Sequence, residues 1–406
     1  MTAAVVSPVA AHRCLGRLSS YGLARVDRGL QLHRLTQAVL RDQLPADSAA
    51  AYRAYAEALL VEADPGDGRD PACWPSWARI LPHLLAADPA TSPSPELREL
   101  ACRAAWHLHS RGDIRPARDL AEYLHRQWCE QLGPDHRHTL RSAYTHVGML
   151  VDTGPYSHAR QLGQDTLARC RRVFGDDDPD TLHAAHNVAI CLHRVGAFEQ
   201  ARQLNEDTLA RRRRVRGDDH IDVQSSAGSF ATNLREMGEA EAARQLHEDA
   251  LARQRRLLGD DHPATINMAN QLGRDLYALG QVDAARRLHE DGLTRARRVL
   301  GADHLCTMNC ASNLASDLYA LGEIEAARHL GEDTLARARR VLGDESHLTI
   351  GIANNFAAAL HALGELEAAR QLSEDTLARA RHVFGDNHPH TRNAANNLVT
   401  VRRLLN

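Results

Sequence analysis

Three polar positions recur with a common spacing through the last three quarters of the chain. The middle one reads Thr145, Asn187, Ser229, Gln271, Asn313, Asn355 and Asn397. Four residues earlier stand His183, Ser225, Asn267, Asn309, Gly351 and Asn393; four residues later stand Cys191, Asn233, Asp275, Asp317 and Ala359. On a helix, steps of i, i+4 and i+8 lay all three on one face. A primary amide both donates and accepts, so a ladder of amides suits an extended peptide backbone. The candidate peptide-binding set is therefore Asn187, Asn233, Asn267, Gln271, Asp275, Asn309, Asn313, Asp317, Asn355 and Asn397, led by Asn267, Asn309, Asn313 and Asn355. Such bonds hold a peptide without reading its side chains; Arg235, Tyr277, Tyr319 and His361 stand where they would add specificity. Asp275 and Asp317 would tint the site acidic and favour basic or amide-rich ligands. The competing expectation is that these amides bond one another or helix ends.

Other chemistry finds little support. All 49 basic residues are Arg, so a phosphate loop, a Schiff base and a kinase strand, each of which needs a Lys, are excluded. Eight Cys lie scattered without a CxxC pair. The 24 His include His136, His220, His262, His304, His347 and His388 in turns about 42 residues apart. With no closing set of ligands nearby, these are expected to cap helices rather than to hold metal. Nucleophilic triads and paired acids are absent as motifs. The expectation is a non-enzyme with no catalytic residue, no metal and no cofactor. Net charge is −3, too little to draw nucleic acid or membrane. With no leader and no long apolar run, the expected location is cytoplasmic.

The elements that must position the amides are repeats. Glycine stands at 112, 154, 196, 238, 280, 322 and 364, and again at 133, 175, 217, 259, 301, 343 and 385, always 42 residues apart. A fixed period of this length means stacked units, each burying its apolar face on its neighbours. In the fifth unit, helix A is expected over Pro263–Leu279, capped by Asp261 or His262, and helix B over Gln281–Leu300, with Gly280 and Gly301 as stops. Ala143, Ala185, Ala227, Ala269, Ala311, Ala353 and Ala395 sit opposite larger residues such as Leu272 and Leu314, and Leu120 to Leu372 recur at the same step in helix B. Small against large lets helices approach closely. Asp207–Arg211, Asp249–Arg253, Asp291–Arg295, Asp333–Arg337 and Asp375–Arg379 are i,i+4 pairs expected on a solvated outer face. The run Arg211–Arg214 with Arg216 is the array's one basic cluster, with acids a turn away. An unpaired eighth helix A is expected from His388 to about Arg403.

The front of the chain differs: all four Trp (74, 77, 106, 128) lie in its first third. Residues 1–45 read as helix (His12–Gly22), hairpin (Leu23–Val26, Leu30–His33) and helix (Arg34–Leu44). Their six Arg against Asp27 and Asp42 give a net charge of +4. Residues 46–95 read as a helical connector capping the array, with Asp47-Ser48 as N-cap of Ala49–Ala63, an amphipathic helix over Pro71–Ala87 carrying Trp74 and Trp77, and a hinge at Asp88–Pro95. Residues 96–406 are the solenoid.

The 42-residue unit, with Gly-Asp-Asp-His-Pro-Ala-Thr at 259–265 leading into Asn270-Gln271-Leu272, resembles the tetratricopeptide repeats of kinesin light chain and of bacterial STAND signal-transduction ATPases. The run Leu23-Ala24-Arg25-Val26 to Leu32-His33-Arg34-Leu35-Thr36-Gln37-Ala38-Val39-Leu40-Arg41 resembles the end of the winged-helix segment of those ATPases, whose nucleotide-binding motif this chain lacks. The resemblance implies an all-α, right-handed solenoid of about seven helix pairs plus a capping helix. In that family helix A lines the concave groove, and its peptide-binding Asn ladder matches the middle positions above. The function so implied is a protein- or peptide-binding scaffold, the sensor or regulatory arm of a STAND-like system. The alternative is a DNA-binding transcriptional regulator using the basic winged-helix-like N-terminus.

Overall fold

The structure is a computed structural model that describes residues 17, 20–21, 24–26, 30–32, 45–154 and 156–405. The chain divides into two compact units, Met1–Ala63 and Asp64–Asn406. In the first, β1 (Ala24–Val26) pairs antiparallel with β2 (Leu30–Leu32), Ala24 opposite Leu32, so the expected hairpin is present. The helix expected over Arg34–Leu44 lies outside the described residues; of His12–Gly22 only Arg17, Ser20 and Tyr21 are described. Helix α1 (Ala46–Glu62) starts directly behind Pro45, earlier than the Asp47-Ser48 cap expected from the sequence; proline's fixed φ suits the entry to a helix.

The second unit opens with α2 (Trp74–Ala86). Its Trp77 is fully buried and stacks on His107 at 5.3 Å between ring centroids. Seven helix pairs follow. They are α3 (Pro95–Arg111) with α4 (Ile114–Leu132), α5 (Arg137–Thr153) with α6 (Tyr156–Phe174), α7 (Pro179–Arg194) with α8 (Phe198–Arg216), and α9 (Ile221–Glu236) with α10 (Ala240–Leu258). Then come α11 (Pro263–Ala278) with α12 (Val282–Leu300), α13 (Leu305–Ala320) with α14 (Ile324–Leu342), and α15 (His347–Ala362) with α16 (Leu366–Phe384). The unpaired α17 (Pro389–Leu405) ends the array. Each helix packs on the next, and A helices also touch the A helix one repeat on. This is an all-α solenoid.

Local chemistry sets the boundaries. Gly280 and Gly301 adopt φ of 76° and 85°, where a β-carbon would be strained, and stop α11 and α12. The N-cap position of helix A runs His136, Asp178, His220, His262, His304, Ser346, His388. In the five histidines Nδ1 accepts from the backbone N–H two residues on, at 3.1–3.2 Å. His347 was expected among these caps but is the first helical residue of α15; Ser346 holds the cap position. Outside, the expected i,i+4 pairs form, at 2.8 Å for Asp207–Arg211 and 2.7 Å for Asp291–Arg295. The same arginines reach an Asp in the preceding turn, Arg211 to Asp177 and Arg295 to Asp261, both at 3.0 Å. The Arg211–Arg214 run is thereby neutralised, with Arg214 also on Asp177, while Arg212 is buried against the carbonyls of Asp222 and Leu182.

The second unit also curls back on itself. Residues 194 apart meet: His304 Nε2 lies 2.9 Å from the carbonyl of Ser110, and Ser346 Oγ donates to that of Asp152 at 3.2 Å. The next step is filled by His388, which stands beside Arg194 at the end of α7. A separation of 194 is between four and five repeats, so that is the length of one superhelical turn. Tyr156 stacks on Phe384 across the same seam, and Ile114 is buried among Met308, Leu335, Leu342 and Ile352.

Candidate peptide channel

The curl encloses a cavity of about 920 Å³ lined almost wholly by A helices. Six of the ten candidate residues face it: Asn267, Gln271, Asn309, Asn313, Asp317 and Asn355. Asn187, Asn233, Asp275 and Asn397 are not among its walls. Asn233 is fully buried between helices, accepting from Asn205 at 2.5 Å and lying 3.1 Å from His193. Asp275 is likewise fully buried, held by Arg235 at 2.7 Å and His247 at 2.5 Å. Asp317 sits at the wall but is 0% exposed, with His289 Nδ1 at 2.5 Å; burial raises its carboxyl's pKa.

The middle ladder is a set of staples between repeats. Asn187 Nδ2 donates to the carbonyl of Tyr144 (2.7 Å), Asn313 to Asn270 Oδ1 (3.0 Å) and Asn397 to the carbonyl of Asn354 (3.0 Å), each spanning 43 residues. Asn355 reaches Ser316 Oγ at 2.9 Å. The NH₂ groups of these four amides are thus used inside the array, as the competing expectation has it. The earlier position behaves differently. Among the described residues, Asn267, Asn309 and Asn393 make no side-chain hydrogen bond, all three line the cavity, and Gly351 stands in the same register between them.

Charge in the wall is basic in kind and locally balanced. Arg235 is met by Asp275, Arg274 Nη2 by Glu236 at 3.3 Å, and Arg194 by Asp152 at 3.9 Å. The proximity of Arg235, then burial, pulls the Arg274 guanidinium down to about 10. The acidic tint expected from Asp275 and Asp317 is thus spent inside the wall, on Arg235, His247 and His289. Sequence reasoning did not single out Arg194, Arg274 or Ser346, and it took His304 and His388 for helix caps without their place at the seam. The 42-residue register of the cap series carries the last three.

Among the described residues no helix is long and apolar enough to cross a membrane. No curated protein matches the chain. Of solved structures, NprR in complex with its cognate peptide NprX aligns at a TM-score of 0.56 with 14% identity, over 89% of this chain and 99% of that one. A Rap protein complexed with competence and sporulation factor aligns at 0.53 with 12% identity, over the same shares. A putative kinesin light chain from Podosopora anserina aligns at 0.39 with 23% identity, over 50% of this chain and 95% of that one. Tetratricopeptide-repeat models match residues 142–214, 222–298, 266–340 and 349–390, together more than half of the chain, and none of them describes a catalytic family. With helix pairs, register and solenoid packing in agreement, the chain belongs to the tetratricopeptide-repeat family.

Proposed function

We propose that the chain is a non-enzymatic scaffold that takes an extended segment of a partner protein or peptide into the channel. One observation carries this reading. Asn267, Asn309 and Asn393, in register at multiples of 42 residues, line the cavity with amides that have no partner among the described residues. Asn267 and Asn393 are exposed to the channel and Asn309 is partly so, which leaves their donors and acceptors open to a ligand, and a peptide backbone supplies both complementary groups along its length. The oxygens of Asn313 and Asn355, whose NH₂ groups are used elsewhere, add acceptors beside them. NprR and Rap, which share the fold, were each solved with a peptide or factor bound. In the same reading the array is the sensor arm of a STAND-like signalling system, on the ground of the winged-helix-like stretch near the N-terminus.

The test uses the full chain and peptides of about eight residues selected on it from a random library. Asn267→Ala with Asn309→Ala removes only free amides, so helicity stays and affinity falls. Two lost bonds at about 0.5–1.5 kcal/mol each predict roughly tenfold weaker binding. Unchanged affinity with retained helicity places the peptide elsewhere and ends this reading.

A further inference from the structure

The wall of the channel is closed along the seam where successive superhelical turns meet, and that seam is built of histidines. His304, Ser346 and His388 stand at the N-cap positions of the A helices of one turn; His304 and Ser346 bond the last carbonyls of α3 and α5 in the turn before, at Ser110 and Asp152, and His388 stands in the same register beside Arg194 at the end of α7. Carbonyls at a helix C-terminus lack partners within their own helix, so each bonded rung satisfies a group that the opposite turn leaves open. Beside the last two rungs, within the later turn, α15 and α17 are joined by a direct pair, His347 Nε2 to His390 Nε2 at 3.1 Å. His347 Nδ1 faces Arg194 Nη1 at 3.4 Å. A guanidinium can only donate, so His347 accepts at Nδ1, carries its proton on Nε2 and gives it to Nε2 of His390. The chain of bonds works only if both rings are neutral.

We propose that the Arg194–His347–His390 relay makes the seam a proton-operated latch: with both rings neutral, His347 accepts from Arg194 of the turn before and holds successive turns of the solenoid together; protonated, it turns a donor toward Arg194, lets the turns part and opens the channel along its side.

The surroundings favour release. From α7 the pair faces Arg194 and His193; from α11, Arg274, beside Arg235 of α9; from α17, His388 and Arg392. The facing carboxylates are Asp152 of α5 and Glu236 of α9, already met by His109 and Arg274. Tyr156 Oη accepts the backbone N–H of His347, and Phe384 lies edge-on to its ring. A proton on His390 Nε2 would force the His347 proton to Nδ1, where it meets the Arg194 donor across the seam, and would add positive charge beside Arg194 and Arg274. Burial is the first cause holding both rings neutral; Arg194 is the next for His347, and His388 for His390, which is brought down to about 3. An ordinary imidazole titrates near 6.5. The closed form therefore binds protons more weakly than the open one, and acid pulls toward the open form below pH 6.5. This holds whether or not the channel takes a peptide.

Small-angle scattering on the full chain, with far-UV dichroism alongside, tests it. The radius of gyration is expected to rise between pH 6.5 and 4 while helicity holds. His347→Gln with His390→Gln keeps neutral donors and acceptors and should move that midpoint down by at least one pH unit. His390→Arg places the charge permanently and should give the expanded form at pH 7.5. Dimensions that stay fixed until helicity collapses overturn the latch. So does a double variant that expands at the wild-type midpoint, or a compact, folded His390→Arg. If the double variant misfolds, the wild-type titration and His390→Arg decide.

Discussion

His289 spends both ring nitrogens: Nδ1 on Asp317 and Nε2 on the carbonyl of Asn270 at 3.1 Å. The same positions one repeat earlier hold His247 and Asp275, and two repeats earlier Asn205 and Asn233. Elsewhere the 28-residue partners are both small or apolar, Gly163 with Cys191 and Gly331 with Ala359. Ser373 opposite Val401 breaks the match, and its hydroxyl is left without a partner. Buried polar groups must be paired, and the sequence displays that pairing plainly once the register is known. Its direction was misjudged. At 3.6 residues per turn, eight residues rotate a side chain about 80° from the first position. Asn233 and Asp275 have therefore turned from the channel into the A–B interface and Asp317 only edges its wall, while Asn267 and Asn309 still face it. His289→Ala strands a buried carboxylate and should cost about 3–5 kcal/mol. Asp317→Ala should cost less, and the double variant less than the sum by about 0.5–3 kcal/mol. Denaturant unfolding of the three variants measures this, and simple additivity would show that the pair is not coupled.

Among helices, boundaries were the most legible feature, because capping residues and left-handed glycines repeat every 42 residues. Packing depth was less so. The helix-B leucines read as the lattice, Leu288 and its equivalents, are only partly buried, whereas Leu293 five residues on is 5% exposed and Leu335 3%. Both lie on an apolar stripe, and only the crossing of the next helix decides which is central. Leu293→Ala should cost about 2–5 kcal/mol and Leu288→Ala clearly less, by thermal melts side by side. The caps add a pH dependence. Burial, then Arg98, holds the His136 ring below its ordinary pKa, since its Nδ1 must stay free to accept. A lowered folded pKa means that this stability is present above pH 6.5 and lost as pH falls. Asp178 fills the equivalent position, its carboxylate accepting from the backbone N–H of Asp180 at 2.9 Å. His136→Asp should therefore narrow the drop in Tm between pH 7 and pH 5. Parallel Tm–pH curves for variant and wild type would refute the cap's role in it.

At the scale of the whole array, linear repeat proteins are stabilised by each unit and its nearest neighbours alone. The seam adds contacts that skip four repeats, and nothing in the period announces them. Curl arises from a small rotation per repeat, and each increment is set by packing details that no single residue reports. Ile114 makes the consequence measurable. It begins α4 in the first repeat, is 3% exposed, and is buried among α13, α14 and α15 side chains. Ile114→Ala should cost about 2–5 kcal/mol, and much of that loss should fall on repeats nearly 200 residues away. Hydrogen exchange reads this directly, because local opening free energies are resolved along the chain. Amides of 305–342 should exchange faster in Ile114→Ala. Leu124→Ala, whose side chain packs with Ala90, Ala101, Cys102 and Trp128 inside the first repeat, should leave them unchanged. If both substitutions act only on their own neighbours, the turns are not coupled, and the channel is an open groove whose two rims move independently.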